Sequence, residues 1–294
     1  MKVRIGISLG PAGAPAQFAD AVDRLEQAGV DSLWLSELVY SPLVDPFTGM
    51  AFALSRTEHL KVGTGVSVLP GRHPVLVAKQ LVSLAGLAPR RVLPVFGLRP
   101  AQDHERDLFP VPDGQRAAVF DESLTLLRRL LSEERVTFEG EFFTVKDASI
   151  RPLPAKPLDI WLGGSAPAGL RRVGRLADAW LGSFITPAEA AAAVTTIQDA
   201  ADQAGRHVDD DHFGLSVPLA LDGIPEQLLA AIRRRRPDAD PADLVAQGWD
   251  GARRLLGQYV EAGLSKFVVR PAGTKDPFGP FLDGFVRELL PMQN

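Results

Sequence analysis

The 294-residue chain contains no cysteine, which excludes disulfides, thiolate metal sites and a cysteine nucleophile together. A reducing compartment such as the cytoplasm fits that usage. Long apolar runs are missing too: none approaches the ~20 residues that span a bilayer, and the apolar part of "MKVRIGISLGP" is too short for a secretory leader. A soluble, unprocessed protein is expected. Nor is there an excess of charge, since 32 basic residues face 36 acidic ones for a net charge of -4, leaving no footprint for nucleic acid or an anionic membrane. The run Arg233 to Arg236 reads as a solvated helix end or loop. The histidines His59, His73, His104, His207 and His212 lack metal-ligand spacing, and there is no G-x-S-x-G elbow, so neither a metal nor a hydrolase of that type is expected.

What the chain does have is a repeated beat of short apolar strand and amphipathic helix. "VRIGISL" (3–9) precedes a helical stretch over 15–30, and "SLWLSE" precedes "PFTGMAFALSRTE". "LKVGTGVSV" leads to "PVLVAKQLVSLAGL", and "RVLPVFGL" to "QRAAVFDESLTLLRRLLSE". "RVTFEGEFFTV" (135–145) breaks the rhythm as two alternating segments meeting at Glu139 and Gly140, a hairpin inserted after the fourth helix. The beat resumes with "LDIWLGG", "AWLGSF", "FGLSVPLAL" and "KFVVR", each followed by helical sequence, the seventh over about 225–262. Strands without strict alternation are buried on both faces, as parallel strands under helices must be. Eight such units point to a (β/α)8 TIM barrel with a small hairpin insertion, a single domain over 1–294. The rival is a doubly wound open sheet, but Val68 stands where the third glycine of a dinucleotide fingerprint beginning at Gly63 would be.

In such a barrel the chemistry sits at the C-terminal ends of the strands. Those ends carry Ser36 and Glu37, Thr64 to Ser67, Phe96 to Arg99, Gly163 to Ser165, Ser183 and Arg270. "KVGTGVSVLPGRHP" (61–74) gives up side chains where the third strand ends, which suits either a flat ring lying on bare main chain or a simple bulge. Gly163 and Gly164, with Ser165 as a cap and Pro167 in the first helical turn, suit either an anion at a helix N-terminus or a plain tight turn. Glu37 can serve as acid or base, bond a ring nitrogen, or pair with an arginine.

Taken together, "GVDSLWLSE", "VDPFTGMAFALSRTEHLKVGTGVSVLPGRHPVLVAKQL", "RVLPVFGLR", "FDESLTLLRRLLSEERVTFEGEFF" and "PLDIWLGGSAPAGLRRVGRLADAWLGSF" resemble the luciferase-like monooxygenase superfamily, in its actinobacterial coenzyme F420-dependent branch. The resemblance implies a barrel with an insertion and a strand-three bulge, often with a cis peptide, on which the deazaflavin ring rests. Thr64, Gly65 and Val66 fall there, with Ser36 beside them. It also implies cofactor contacts from Phe96, Gly97, Leu98 and Arg99, and from Gly163, Gly164 and Ser165. Glu37 falls just before a histidine that is often catalytic in relatives; here that place holds Leu38, which leaves Glu37 as the substitute catalytic residue. Arg99 stands where a glycine is common. The function implied is hydride transfer between F420 and a small organic substrate, in a cytoplasmic enzyme with no metal, of a superfamily in which homodimers are common. The alternatives are an FMN-dependent monooxygenase and a non-catalytic flavin or ligand binder.

Overall fold

The structure, a computed structural model, describes residues 2–273 and 278–294. Its strands and helices alternate from β1 (Arg4–Ile7), α1 (Pro15–Gln27), β2 (Ser32–Leu35) and α2 (Pro46–Arg56) through β3 (Lys61–Thr64), β4 (Ser67–Val68) and α3 (Pro74–Leu87). β5 (Val92–Leu93), β6 (Val95–Gly97) and α4 (Arg116–Ser132) follow, then β7 (Val136–Glu139) and β8 (Thr144–Ala148). β9 (Trp161–Gly163), α5 (Pro167–Leu176), β10 (Ala179–Ser183) and α6 (Pro187–Gln203) lead to β11 (Phe213–Ala220) and α7 (Glu226–Arg235). The chain ends with β12 (Ala246–Gln247), α8 (Gly248–Glu261), β13 (Lys266–Pro271) and α9 (Phe278–Glu288). Among the described residues, no helix is long and apolar enough to cross a membrane.

Five of the 24 prolines start α-helices. α1, α2, α3, α5 and α6 each have proline in the first helical turn, where the missing N–H would have had no partner and the fixed φ suits the helix. Asp45 caps α2 through the Thr48 N–H at 2.9 Å, and Thr186 with Glu189 forms a reciprocal capping box on α6. α1 and α8 stop at Gly29 and Gly263, which take the left-handed backbone that ends a helix cheaply.

The parallel strands close into a ring. β3 and β4 are two halves of the third barrel strand, and β5 and β6 two halves of the fourth, parted at Pro94, which cannot donate to a ladder. Val62 pairs with Val92 across the lower halves, and Ser67 with Phe96 across the upper halves, so strand three is joined to strand four on both sides of the break. From β6 the order runs through β9, β10, β11, β13, β1 and β2 back to β3. The result is an eight-stranded (β/α) barrel with helices outside.

The interior is narrow and aromatic. Trp34 and Trp161 meet edge to face with centroids 6.2 Å apart, surrounded by Val95, Ala179, Leu181 and Val268. At the N-terminal end the Lys266 ammonium lies 5.9 Å from each indole centroid and 3.4 Å from Asp31, which also binds Lys61 at 2.8 Å. Burial pushes the Lys266 pKa down, against the pull of Asp31. These side chains plug the lower end.

Two segments differ from the sequence reading. β7 and β8 pair antiparallel, with Glu139 opposite Thr144, but the reversal occupies 140–143 rather than a tight turn at Glu139 and Gly140. The Glu122 carboxylate fixes that loop by accepting from the N–H groups of Glu141, Phe142 and Phe143 at 2.7 to 2.9 Å. The stretch over 225–262 is not continuous helix: α7 and α8 are parted by a 3-10 turn at Pro241–Asp243 and by β12, which pairs with the end of β11.

Candidate functional site

The kink in the third barrel strand lies at the mouth, the end where the strands' carboxyl termini open. The peptide between Gly65 and Val66 is cis. Strand two braces it on both sides: Gly65 N–H donates to Leu35 O at 2.7 Å, Glu37 N–H to Val66 O at 3.3 Å, and Ser36 Oγ to Gly65 O at 3.0 Å. On the other side Thr64 Oγ1 donates to Val95 O at 2.6 Å and accepts from Val95 N–H at 2.8 Å. Thr64 is buried, so its hydroxyl latches strand three to strand four and is not offered to a ligand. Gly65 is bare on its outer side: among the described residues beyond its chain neighbours, only Trp34 Cβ, 3.7 Å away, is near the place of a Cβ.

Val66 explains two glycines that the sequence reading assigned to a cofactor. A Cβ on Gly97 would stand 2.6 Å from Val66 Cγ2, and one on Gly163 2.6 Å from Val66 Cγ1. The valine is therefore wedged between strands four and five, and both glycines first make room for it. Phe96 is a further correction: it is fully buried and belongs to the core between strands and helices, while its neighbour Val95 faces the interior. Strand alternation forces that choice. Leu98 remains half-buried and Arg99 exposed at the rim.

At the fifth strand, Gly164 has φ 107° with nothing within 4 Å of a Cβ, and Ser165 is exposed. The N-cap of α5 is Ala166, not Ser165, and no side chain caps it. The first turn of α5 thus leaves its N–H groups and the positive end of its dipole uncompensated by a side chain. Trp180 Nε1 holds the loop by donating to Gly164 O at 2.7 Å.

Glu37 takes the structural alternative. It is buried, and Arg72 grips both its oxygens at 2.6 and 2.8 Å while Val68 N–H donates to Oε2 at 2.8 Å. Arg72 also donates to Val68 O at 2.6 Å and lies 5.1 Å from the Phe109 ring centroid. Accepting from both nitrogens of Arg72 and from Val68 N–H, this carboxylate ties strand two to the turn after β4.

A different carboxylate, absent from the sequence reading, occupies the loop after β6. Glu105 is fully buried in the 3-10 turn Asp103–Leu108; its Oε1 accepts from Tyr40 N–H at 3.0 Å, and its Oε2 has no partner among the described residues. That bond joins the loop after strand two to the loop after strand four. Nearby, burial and then the charges of Arg99 and Arg106 push the Arg116 guanidinium pKa down.

Two other features lie away from the mouth. A cavity of about 690 Å³ is lined by Pro89, Arg90, Leu93, Pro152, Pro154 and Leu158, around the starts of strands four and five at the opposite end of the barrel. Asp209, Asp211 and His212 gather just before β11, at that same end, with both aspartates exposed. Neither joins the strand-end residues.

The sequence model of one family, described as luciferase-like monooxygenase, matches residues 1–265. The chain belongs to that family. Among its relatives, the F420-dependent glucose-6-phosphate dehydrogenase of Intrasporangium calvum is 28% identical over 94% of each chain. The enzyme of the same name from Nakamurella multipartita is 32% identical over 74% of this chain and 68% of its own. An F420-dependent secondary alcohol dehydrogenase in complex with an F420-acetone adduct superposes with a TM-score of 0.83 over 100% of both chains at 17% identity. The oxygenating constituent of 3,6-diketocamphane monooxygenase from Pseudomonas putida, in complex with FMN, superposes with a TM-score of 0.78 over 100% of this chain and 99% of its own, also at 17% identity. At such identities these likenesses show the family barrel alone.

Proposed function

We propose that the chain is an oxidoreductase of the luciferase-like family that uses coenzyme F420 to move a hydride to or from a small organic substrate. The bare peptide face at Gly65 and Val66 carries this reading, together with relatives named as F420-dependent dehydrogenases over nearly the whole chain. Two observations fit a flat, polar ring at the mouth: among the described residues beyond its chain neighbours, nothing but Trp34 Cβ lies within 4 Å of a Cβ position on Gly65, and Glu105 Oε2 is buried with no hydrogen-bond partner among them. A buried oxygen of that kind calls for a proton of its own or a donor from a bound molecule.

F420 supplies, when bound, the carbon that gives or takes the hydride. The protein's share is placement. The Gly65–Val66 peptide forms the floor, fixed by Ser36 and by the Val66 wedge, and Leu98 borders it. Gly164, Ser165 and the open first turn of α5 suit the cofactor's phosphate. Glu105 holds or releases the balancing proton at Oε2, and Glu37 with Arg72 acts as a positioning pair. A second copy of the chain suits the flank of α2 and α3, where Phe52, Leu76 and Leu87 are exposed. A fluorescence titration with oxidised F420 and with FMN tests the cofactor. F420 should bind and FMN should not; tight FMN binding without F420 binding, accompanied by oxygen consumption, would overturn the proposal.

A further inference from the structure

The cavity of about 690 Å³ opens at the end of the barrel away from the kinked peptide. Its walls are apolar: the last turns of α3 supply Ala85, strand four begins there with Val92 and Leu93, and the chain before β9 adds Leu153, Pro154 and Leu158. Four of the lining residues, Pro89, Pro152, Pro154 and Pro157, are prolines, which bring no backbone N–H to leave unpaired against an apolar guest. The wall before β9 is held from outside, because Lys79 Nζ donates to Arg151 O at 3.0 Å and the Arg151 guanidinium pairs with Glu134 at 3.2 Å. Two exposed cations, Arg90 and Lys156, border this apolar space, and among the described residues neither side chain has a carboxylate partner. The next residue, Arg91, is by contrast engaged in the fold, donating to Thr57 Oγ1 and Leu54 O at 3.0 Å and to Leu60 O at 3.3 Å. Arg90 has φ 66°, in the left-handed region where glycine would sit without strain. A long cationic side chain in that backbone works against the fold and calls for a task outside it.

We propose that this cavity is a second ligand site, separate from the mouth, that takes an apolar organic molecule carrying a single carboxylate. Its size lies within the range of roughly 300–1,000 Å³ typical of pockets for small organic ligands. The planar fork of Arg90 matches the two oxygens of a carboxylate, and Lys156 adds a point charge on the same cavity. Asp159 also lines the cavity, with Oδ2 3.9 Å from His212 Nε2, and its negative charge opposes a second anionic group, so a monoanion fits and a dianion does not. The apolar body of the guest lies between the end of α3 and the proline and leucine wall, where each buried methylene adds affinity. The site does not depend on the hydride-transfer reading above and is tested without cofactor.

The experiment is a calorimetric titration of the purified protein by octanoate, decanoate and octylammonium. Decanoate should bind about tenfold more tightly than octanoate, because two more methylenes are buried. Octylammonium, the same chain with the opposite charge, should bind at least about tenfold more weakly than octanoate. R90Q should weaken decanoate binding about tenfold or more, K156Q by a smaller factor, and R233Q, on an exposed turn of α7, should stay within about twofold. Gly86 lines the cavity in α3 with nothing within 4 Å of a Cβ among the described residues beyond its neighbours, so G86F puts a ring in the guest's place and should also weaken binding about tenfold. R90G separates a ligand role from a structural one: glycine takes φ 66° freely, so the urea midpoint should hold or rise while decanoate binding falls as in R90Q. A lower midpoint in R90G would make Arg90 a residue of the fold and overturn its role. No binding of decanoate by the wild type at millimolar concentration, equal binding of octylammonium, or wild-type affinity in both R90Q and G86F would overturn the site.

Discussion

Replacing Gly163 with alanine tests the wedge under the mouth. Neither Gly97 nor Gly163 has a left-handed backbone, so alanine costs nothing in φ and acts only through contact. The new Cβ would stand 2.6 Å from Val66 Cγ1, well inside ordinary carbon contact, while the other methyl of Val66 already occupies the space that a Cβ on Gly97 would need. Overpacking of this kind costs about 1–3 kcal/mol. Val66→Ala alone removes two methyls from a half-buried site and should cost about 1–2 kcal/mol. Combined with Val66→Ala, the alanine at 163 keeps only ordinary contacts at 3.7 and 3.8 Å, and its added cost should fall below about 0.5 kcal/mol. Urea unfolding of the four proteins, with a constant slope, gives the coupling. If the two single costs add within about 0.5 kcal/mol, Val66 does not set the glycines and the account of the floor is wrong.

Glu105→Gln should leave F420 affinity within a few-fold and lower turnover by about 10²-fold or more, read from the loss or return of cofactor fluorescence; unchanged turnover would remove Glu105 from the proton's path. Arg72→Met strands the Glu37 carboxylate in the protein and should cost about 3 kcal/mol or more in urea unfolding, against a smaller loss for Glu37→Gln. Acid stability should report Glu26. Burial pushes its pKa up, but the N–H groups of Glu58, His59 and Leu60, with the charge of His59, outweigh that and leave it lowered. A lowered carboxyl stabilises the fold above its ordinary value and loses that contribution as the pH falls through the folded one. Glu26→Gln should therefore flatten the decline in stability below about pH 4.5, and an unchanged acid limb would contradict the assignment.

The barrel was legible because each unit repeats the same local signals: an apolar strand, a proline at the next helix's first turn, a glycine at its end. The kink was legible too, since Gly63 and Gly65 within a strand leave few other readings. What escaped depends on partners distant in sequence. Gly97 and Gly163 look like ligand glycines until Val66, about 30 and 100 residues away, is seen between them. Glu105 lies in an aperiodic loop, and its burial is set by Tyr40 from another loop. Nothing in the sequence sets Glu105 apart from Asp103 and Asp107, which flank it in the same turn. The arginine run failed for the same reason, because Phe184 and Ala101 give Arg235 its place.

Trp34 gives the molecule an optical gauge of its own. Its Cβ lies 3.7 Å from the place a Cβ would take on Gly65, and its ring meets Trp161 edge to face in the barrel interior. A chromophore settling on the kinked peptide comes within resonance-transfer range of both indoles, so ultraviolet emission should dim as the site fills. Replacing Trp34 with phenylalanine should remove much of that dimming, turning an architectural side chain into a reporter of occupancy that needs no label.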